Sequence, residues 1–218
     1  MITQATQDYL KIIYKLASQR KSVTTNAIAE RMEVSQASVT GMFKKLAELK
    51  LIRHTPYRGV ELTGSGRKIA LEIIRHHRLL ELYLAEALGY SWDEVHDEAE
   101  RLEHVISEEF ESRMAEFLGH PTTDPHGAPI PSKEGKIIER SLIALTKADI
   151  GKKVKIAQVS DSDREMLRYL GGIGIYPEVE IEILGKAPFN GPLHIKLGKQ
   201  THHLGQTVTD SIFVSMPG

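Results

Sequence analysis

Residues 24–52, TTNAIAERMEVSQASVTGMFKKLAELKLI, constrain the fold more tightly than any other stretch. Thr25 can cap a short helix running through Ile28 to Met32. A turn falls at Glu33–Val34, and Ser35 can cap a second helix that continues to Leu49. Hydroxyl side chains there accept hydrogen bonds from amides that a first helical turn leaves without partners. Upstream, residues 4–18 place Tyr9, Ile12, Ile13 and Leu16 at helical spacing. Downstream, LIRHTPYRGVELT (51–63) holds two strand-like runs around a YRG turn, the pattern of a hairpin wing. Three helices and a wing in that order predict a winged helix-turn-helix.

Charge singles out the same region. Residues 1–76 carry a net +7 and residues 77–218 a net −8, hidden within a total of −1. A basic first third on an acidic remainder suggests a nucleic-acid-facing module attached to a body with another task. The second helix of such a module enters the major groove with its first residues at the base edges. Here those are Ser35, Gln36, Ala37, Ser38 and Thr40. Gln36 can pair with an adenine edge, and Ala37 or a threonine methyl can touch a thymine methyl. Thr25, Lys44, Arg53, Arg58, Arg67 and Lys68 suit phosphates, which supply affinity without sequence information. Gly41 costs that helix about 1 kcal/mol relative to alanine. Close approach to a DNA backbone and packing against a neighbouring helix both account for it.

No cysteine is present, which excludes disulfides, cysteine-based zinc fingers and thiol catalysis. No apolar run reaches bilayer length, and the first residues, MITQATQDYLKII, lack a signal-peptide pattern. A cytoplasmic protein with no membrane partner is expected. Past the wing, the pattern predicts a long helix from about Thr63 to Leu88 and another from about Ser91 to Leu118. Four prolines between 120 and 132 disfavour regular structure there, and a short helix is expected over Gly135–Leu145. From about Lys147 the chain turns strand-rich (KVKIAQV, VEIEIL, LHIKL, SIFVSM) with a helical turn at DREMLRYL, which suits a small SH3-like β-barrel. The fold class is therefore mixed α+β: a winged helix-turn-helix at 1–63, a helical domain at 64–145 and the SH3-like domain at 146–218.

VHDEAERLEHVIS (95–107) holds the densest chemistry. At about 100° per residue, Val95, Ala99, Leu102, Ile106 and Phe110 form an apolar stripe. His96, Glu100, Glu103 and His104 occupy the adjoining arc, bordering the core, where an uncompensated carboxylate is costly. Salt bridges alone also account for this arc, the Glu100–His104 pair being worth about 0.2–0.5 kcal/mol. The preceding helix adds His77 and Glu81 at i,i+4, a spacing that suits two ligands to one ion. Asp8 lies at the edge of the first helix's apolar stripe. Three helices offering His, Glu or Asp favour a metal constellation. His76, His120, His126, His202 and His203 are expected at the surface.

With these residues together, the chain resembles the diphtheria toxin repressor family of metal-dependent transcriptional regulators, its manganese-responsive branch included. The resemblance rests on the winged helix, LTGSGRKIA, RHHRLLE, VHDEAERLEHVIS, PHGAPIP and the C-terminal PFNGPLHIKL, and spans essentially the whole chain. It implies a homodimer on operator DNA, one dimer or two per operator, with no catalytic residues. It implies a primary metal site of Asp8, Glu100, Glu103 and His104. It implies an ancillary site of His77, Glu81, His96 and Asp161, with Asp163 competing for the last position. Iron-sensing members carry Met and Cys where this chain has Asp8 and Glu100. Two hard carboxylates there suit Mn2+ better, with Fe2+ the alternative activator, and Zn2+, Co2+ or Cd2+ able to occupy the sites in vitro. Lys11 stands where short manganese repressors carry a glutamate, which favours two separate sites over a paired-metal cluster.

The resemblance also implies how the ion would act, by tying the first helix to the dimer-forming body and so fixing the DNA-reading module. The other classes are a constitutive winged-helix DNA-binding protein and a metal-dependent enzyme; no nucleophile or phosphate loop supports the latter.

Overall fold

The computed structural model describes residues 2–19, 22–55, 59–138, 140–189 and 191–215. They group into two compact units, one of residues 1–77, 103–106 and 131–136, the other of 78–102, 107–130 and 137–218.

In the first unit, α1 (Gln4–Gln19), α2 (Thr25–Met32) and α3 (Gln36–Glu48) precede the antiparallel hairpin of β1 (Ile52–Thr55) and β2 (Gly59–Leu62). Thr24, not Thr25, is the α2 cap: its backbone is extended and its hydroxyl accepts from Ala27 N at 3.2 Å. Two adjacent threonines carry the same capping chemistry, so composition alone leaves the register open by one. Glu33 ends α2 in the left-handed region at φ 55°, its amide reaching the Ala29 and Glu30 carbonyls. Ser35 caps α3 by accepting from Ser38 N. Leu10, Ile13, Ile28, Val39, Phe43, Leu46, Ile52 and Val60 close the core, each such side chain contributing about 1.5–3 kcal/mol of burial. α4 (Gly64–Leu88) begins in this unit and continues into the second after His77. Its start requires glycine at 66, where a Cβ would stand 2.0 Å from the Leu51 carbonyl oxygen.

The second unit departs from expectation at two places. The predicted helix 91–118 is two helices, α5 (Val95–Leu102) and α6 (Glu108–Phe117). Ser107 starts α6, accepting from Phe110 N at 3.2 Å, with Glu108, Glu109 and Glu111 complementing its N-terminal dipole. The single helical wheel therefore fails past Leu102: Val95 and Ala99 are buried, but Phe110 is 42% exposed. Among the described residues, the expected helix at Gly135–Leu145 is absent. Instead β3 (Leu142–Ala144) pairs with β8 (Ile212–Ser215), and a 3-10 turn follows at Leu145–Lys147.

β3 and β8 belong to a six-stranded antiparallel sheet with β4 (Lys153–Val159), β5 (Glu180–Lys186), β6 (Leu193–Leu197) and β7 (Gln200–Leu204), in the order β3-β8-β4-β5-β6-β7. Register shifts at Ile156/Gln158 and Ile183/Gly185 bend it. α7 (Arg164–Gly172) sends Leu167 and Leu170 into the sheet's core, and α8 (Gln206–Asp210) leads into β8. Asp93, just before α5, receives Arg168 Nε at 2.7 Å and Arg164 Nε at 3.4 Å. Its burial would raise its carboxyl, but hydrogen bonds from Ser91, Arg168 and Arg164 outweigh that and hold it below the usual range. Among the described residues, no helix is long and apolar enough to cross a membrane.

Candidate metal centres and nucleic-acid interface

α3 divides its residues cleanly. Val39, Phe43 and Leu46 point into the core, while Ser35, Gln36, Ala37, Ser38, Thr40 and Lys44 are exposed. The Thr40 hydroxyl donates to the Gln36 carbonyl at 2.8 Å. Thr25, the first residue of α2, is half-buried. Arg58 lies outside the described residues. Arg53 and Lys68 are exposed, and the Arg67 guanidinium sits 5.1 Å over the Tyr14 ring.

A Cβ at Gly41 would meet nothing within 4 Å, so packing against a neighbouring helix of this chain does not account for it. Gly41→Ala should therefore stabilise the fold by up to about 1 kcal/mol. If this face meets a DNA backbone, operator affinity falls at the same time. Thermal melting beside gel retention checks both.

The first unit concentrates charge around Glu103, just past α5 and fully buried. Lys11 of α1 places its ammonium 2.8 and 2.7 Å from the two Glu103 oxygens, with 3% of the residue exposed. His77 Nδ1 stands 2.5 Å from Glu103 Oε2 and 3.4 Å from the Lys11 ammonium. His104 Nε2 lies 2.8 Å from Asp8 Oδ1 and 3.2 Å from Glu103 Oε1, while its Nδ1 faces Gln7 Oε1 at 2.9 Å. Asp8, Glu103 and His104 each offer a ligand atom, all within 4.8 Å of one another. Glu100 is exposed on α5 and belongs to the second unit. His76, expected at the surface, is buried with Nδ1 3.1 Å from the Glu103 carbonyl.

The second unit holds another cluster. Glu81 of α4 is fully buried and its Oε1 stands 3.0 Å from His96 Nδ1. Asp161 Oδ2 reaches the same nitrogen at 3.6 Å, and one ligand atom from each of the three lies within 4.8 Å of the others. Asp163 is turned to other work: it caps α7, accepting from Glu165 N and Met166 N. His77 lies one helical turn before Glu81 on α4 but is counted in the first unit.

His126, also expected at the surface, is 1% exposed. Asp124 Oδ1 accepts the His126 and Ala128 amides at 2.9 and 2.8 Å, and Arg78 Nε lies 3.5 Å from its Oδ2. Burial, reinforced by the Glu81 charge, pushes the Asp124 carboxyl up to about 7 against the pull of Arg78 and His126. For His126 burial acts downward, but Glu81 and then Asp124 more than offset it and raise the imidazole to about 9. Signals existed for this fold-back, since Asp followed by Pro-X-Gly favours a turn closed by the Asp side chain. His120 and His203 are exposed, and His202 is half-buried.

A basic winged helix carried beside clusters of carboxylate and imidazole defines a DNA-binding protein equipped to hold hard divalent cations. Comparison with known proteins makes the class specific. The iron dependent repressor N-terminal DNA binding domain matches residues 1–60, the iron dependent repressor metal binding and dimerisation domain matches 63–132, and the FeoA domain matches 143–216. The iron-dependent repressor IdeR of Mycobacterium leprae is 32% identical over 194 residues, 84% of each chain. The diphtheria toxin repressor of Corynebacterium efficiens is 32% identical over 195 residues, 85% of each chain. A solved manganese-dependent transcriptional repressor in complex with manganese matches with a TM-score of 0.90 at 39% identity, covering 97% of this chain and 99% of that one. The chain belongs to the diphtheria toxin repressor family of metal-dependent transcriptional repressors.

Proposed function

We propose that this protein is a manganese-responsive repressor that binds operator DNA as a cytoplasmic homodimer, one or two dimers per operator. Its division would be 1–63 for DNA, 64–145 for metal binding and dimerisation, and 146–218 for the SH3-like domain. The observation that carries the reading is the meeting of Asp8, from the first helix of the DNA module, with Glu103 and His104.

The donors fit the ion. They are carboxylate oxygens and imidazole nitrogens only, from a chain without cysteine, and such hard ligands suit Mn2+ ahead of soft-ligand metals. Asp8, Glu100, Glu103 and His104 would hold one ion, and His77, Glu81, His96 and Asp161 a second. A bound divalent cation supplies the positive charge that lets several buried carboxylates share one place. Asp8 would then keep α1 fixed to the segment that follows α5, and α1 shares one hydrophobic core with α2, α3 and the wing. Ser35, Gln36, Ala37, Ser38 and Thr40 would read the base edges, with Thr25, Lys44 and Arg58 as the phosphate contacts. Phe110 and Phe117, exposed on α6 and edge-on to Tyr83 at 6.2 and 5.7 Å, give α6 an apolar face suited to a second copy.

Gel retention of operator DNA in Mn2+, in Fe2+ and in chelator tests this. Retention in Mn2+ and release in chelator is the expected result. Equal retention in chelator would make the protein a constitutive binder, and retention in Fe2+ alone would make it an iron sensor.

A further inference from the structure

We propose that Arg164 and Arg168 are positioning residues for Asp161, a role that rests on the ancillary site proposed above: they clasp Asp93 and so keep the two segments that meet at that site in register. Asp93 and His96 lie three residues apart where α5 begins, and Asp161 and Arg164 lie three apart where α7 begins. The two segments therefore touch at two places. Asp161 Oδ2 stands 3.6 Å from His96 Nδ1. Asp93 Oδ2 accepts from Arg168 Nε at 2.7 Å and from Arg164 Nε at 3.4 Å, and Arg164 also reaches Glu94 at 2.8 Å and Asp97 at 3.7 Å. Spaced i,i+4, the two guanidiniums share one face of α7.

Asp161 has little freedom apart from α7. The Ser160 amide donates to the Ser211 carbonyl at 2.8 Å, and Asp163 caps α7 by accepting from Glu165 N and Met166 N. Anchored on both sides, Asp161 goes where α7 goes. α7 in turn meets the Asp93 segment through two kinds of contact. Trp92 packs on Tyr176 with ring centroids 4.7 Å apart, and so closely to α7 that a Cβ at Gly171 would stand 2.9 Å from the indole nitrogen and 2.8 Å from the Tyr176 hydroxyl. Apolar contact holds two surfaces together but is non-directional. Hydrogen bonds between ions are shorter, stronger and directional, and Asp93, its side chain 10% exposed, offers an acceptor in one fixed place. Packing keeps α7 near α5; the clasp sets where along α5 it sits.

Positioning and plain charge predict opposite signs. Two cations near a cation site repel the ion, so by Coulomb's law alone their removal strengthens metal binding. Lost register weakens it: if about one metal-free molecule in ten keeps Asp161 in place, apparent affinity falls about tenfold. Mn2+ binding to the full chain by equilibrium dialysis, beside thermal melting and the emission of Trp92, the single tryptophan, tests the role. Arg164→Gln/Arg168→Gln should weaken one of two ions by about tenfold, leave the other unchanged and red-shift the metal-free emission, with Mn2+ reversing the shift. Arg164→Lys/Arg168→Lys, which keeps both charges, should restore most of the affinity. Asp161→Asn should weaken the same ion, and adding Arg164→Gln/Arg168→Gln to it should cost that ion nothing more. Tighter or unchanged binding in Arg164→Gln/Arg168→Gln, or an equal loss at both ions with a lower melting temperature, overturns the positioning role alone. One ion per wild-type chain, or two at wild-type affinity in Asp161→Asn, overturns the ancillary site and the inference with it.

Discussion

Asp8→Ala should abolish the metal dependence of operator binding while leaving the metal-free chain folded. Asp8 supplies the one ligand atom from α1 in the Asp8–Glu103–His104 set, so no other residue of that set joins the DNA module's first helix to the ion. Couplings between a bound effector and a second ligand typically amount to 5–150-fold, about 1–3 kcal/mol. The variant should reduce that ratio to near one. Its cost to stability is small, because the Asp8 side chain is 29% exposed and its pair with His104 is in contact with water; exposed pairs contribute about 0–1 kcal/mol. Fluorescence anisotropy with labelled operator, at one fixed salt concentration, with Mn2+ and with chelator, reads the ratio directly. Salt must be held constant because phosphate contacts by Lys and Arg make affinity fall steeply as it rises. An unchanged ratio would mean that the ion acts without α1, and the proposed link would be wrong.

Local chemistry made the first four helices and the wing legible, since caps, helical spacing and a hairpin turn all agree there. The break between α5 and α6 had its marks too. Val105 and Ile106 are β-branched, and Ser107 followed by two glutamates is a helix start. A continuous apolar stripe hid them, because periodicity drawn across a loop still looks regular. β3 was not legible: its strand state comes from pairing with β8 some seventy residues later, Ile143 opposite Val214, and nothing local specifies that. The site divides in the same way. Spacing pointed to Asp8, His77, Glu81, His96, Glu100, Glu103 and His104 as ion-facing groups. It said nothing of where the Lys11 ammonium goes, because a lysine beside an apolar stripe reads as solvated. His126 was lost to the proline-rich composition around it, and only the Asp124 turn and the Trp92 stack explain its burial.

Lys11→Met should give the largest loss of metal-free stability of any single substitution at this cluster. Lys11 and Glu103 have side chains 4% and 0% exposed, and the ammonium sits between both carboxylate oxygens. Removing one partner of a buried pair strands the other charge and costs about 3–5 kcal/mol. That is about a fifth or more of the roughly 5–15 kcal/mol that holds an ordinary domain together. His77 and His104 also face Glu103, at 2.5 and 3.2 Å, so the carboxylate keeps some support and the lower end of that range is expected. Chemical denaturation of the metal-free chain measures the loss. Two further measurements separate a stranded charge from lost packing. The double variant Lys11→Met/Glu103→Gln should recover most of the stability, because no uncompensated carboxylate remains. Mn2+ at about a hundred times its dissociation constant should return about 2.7 kcal/mol to the single variant by binding only the folded state. If the single variant is as stable as wild type, Lys11 does not hold Glu103 in the metal-free protein. In that case the carboxylate cage stands without a resident cation, and metal entry would not have to compete with one.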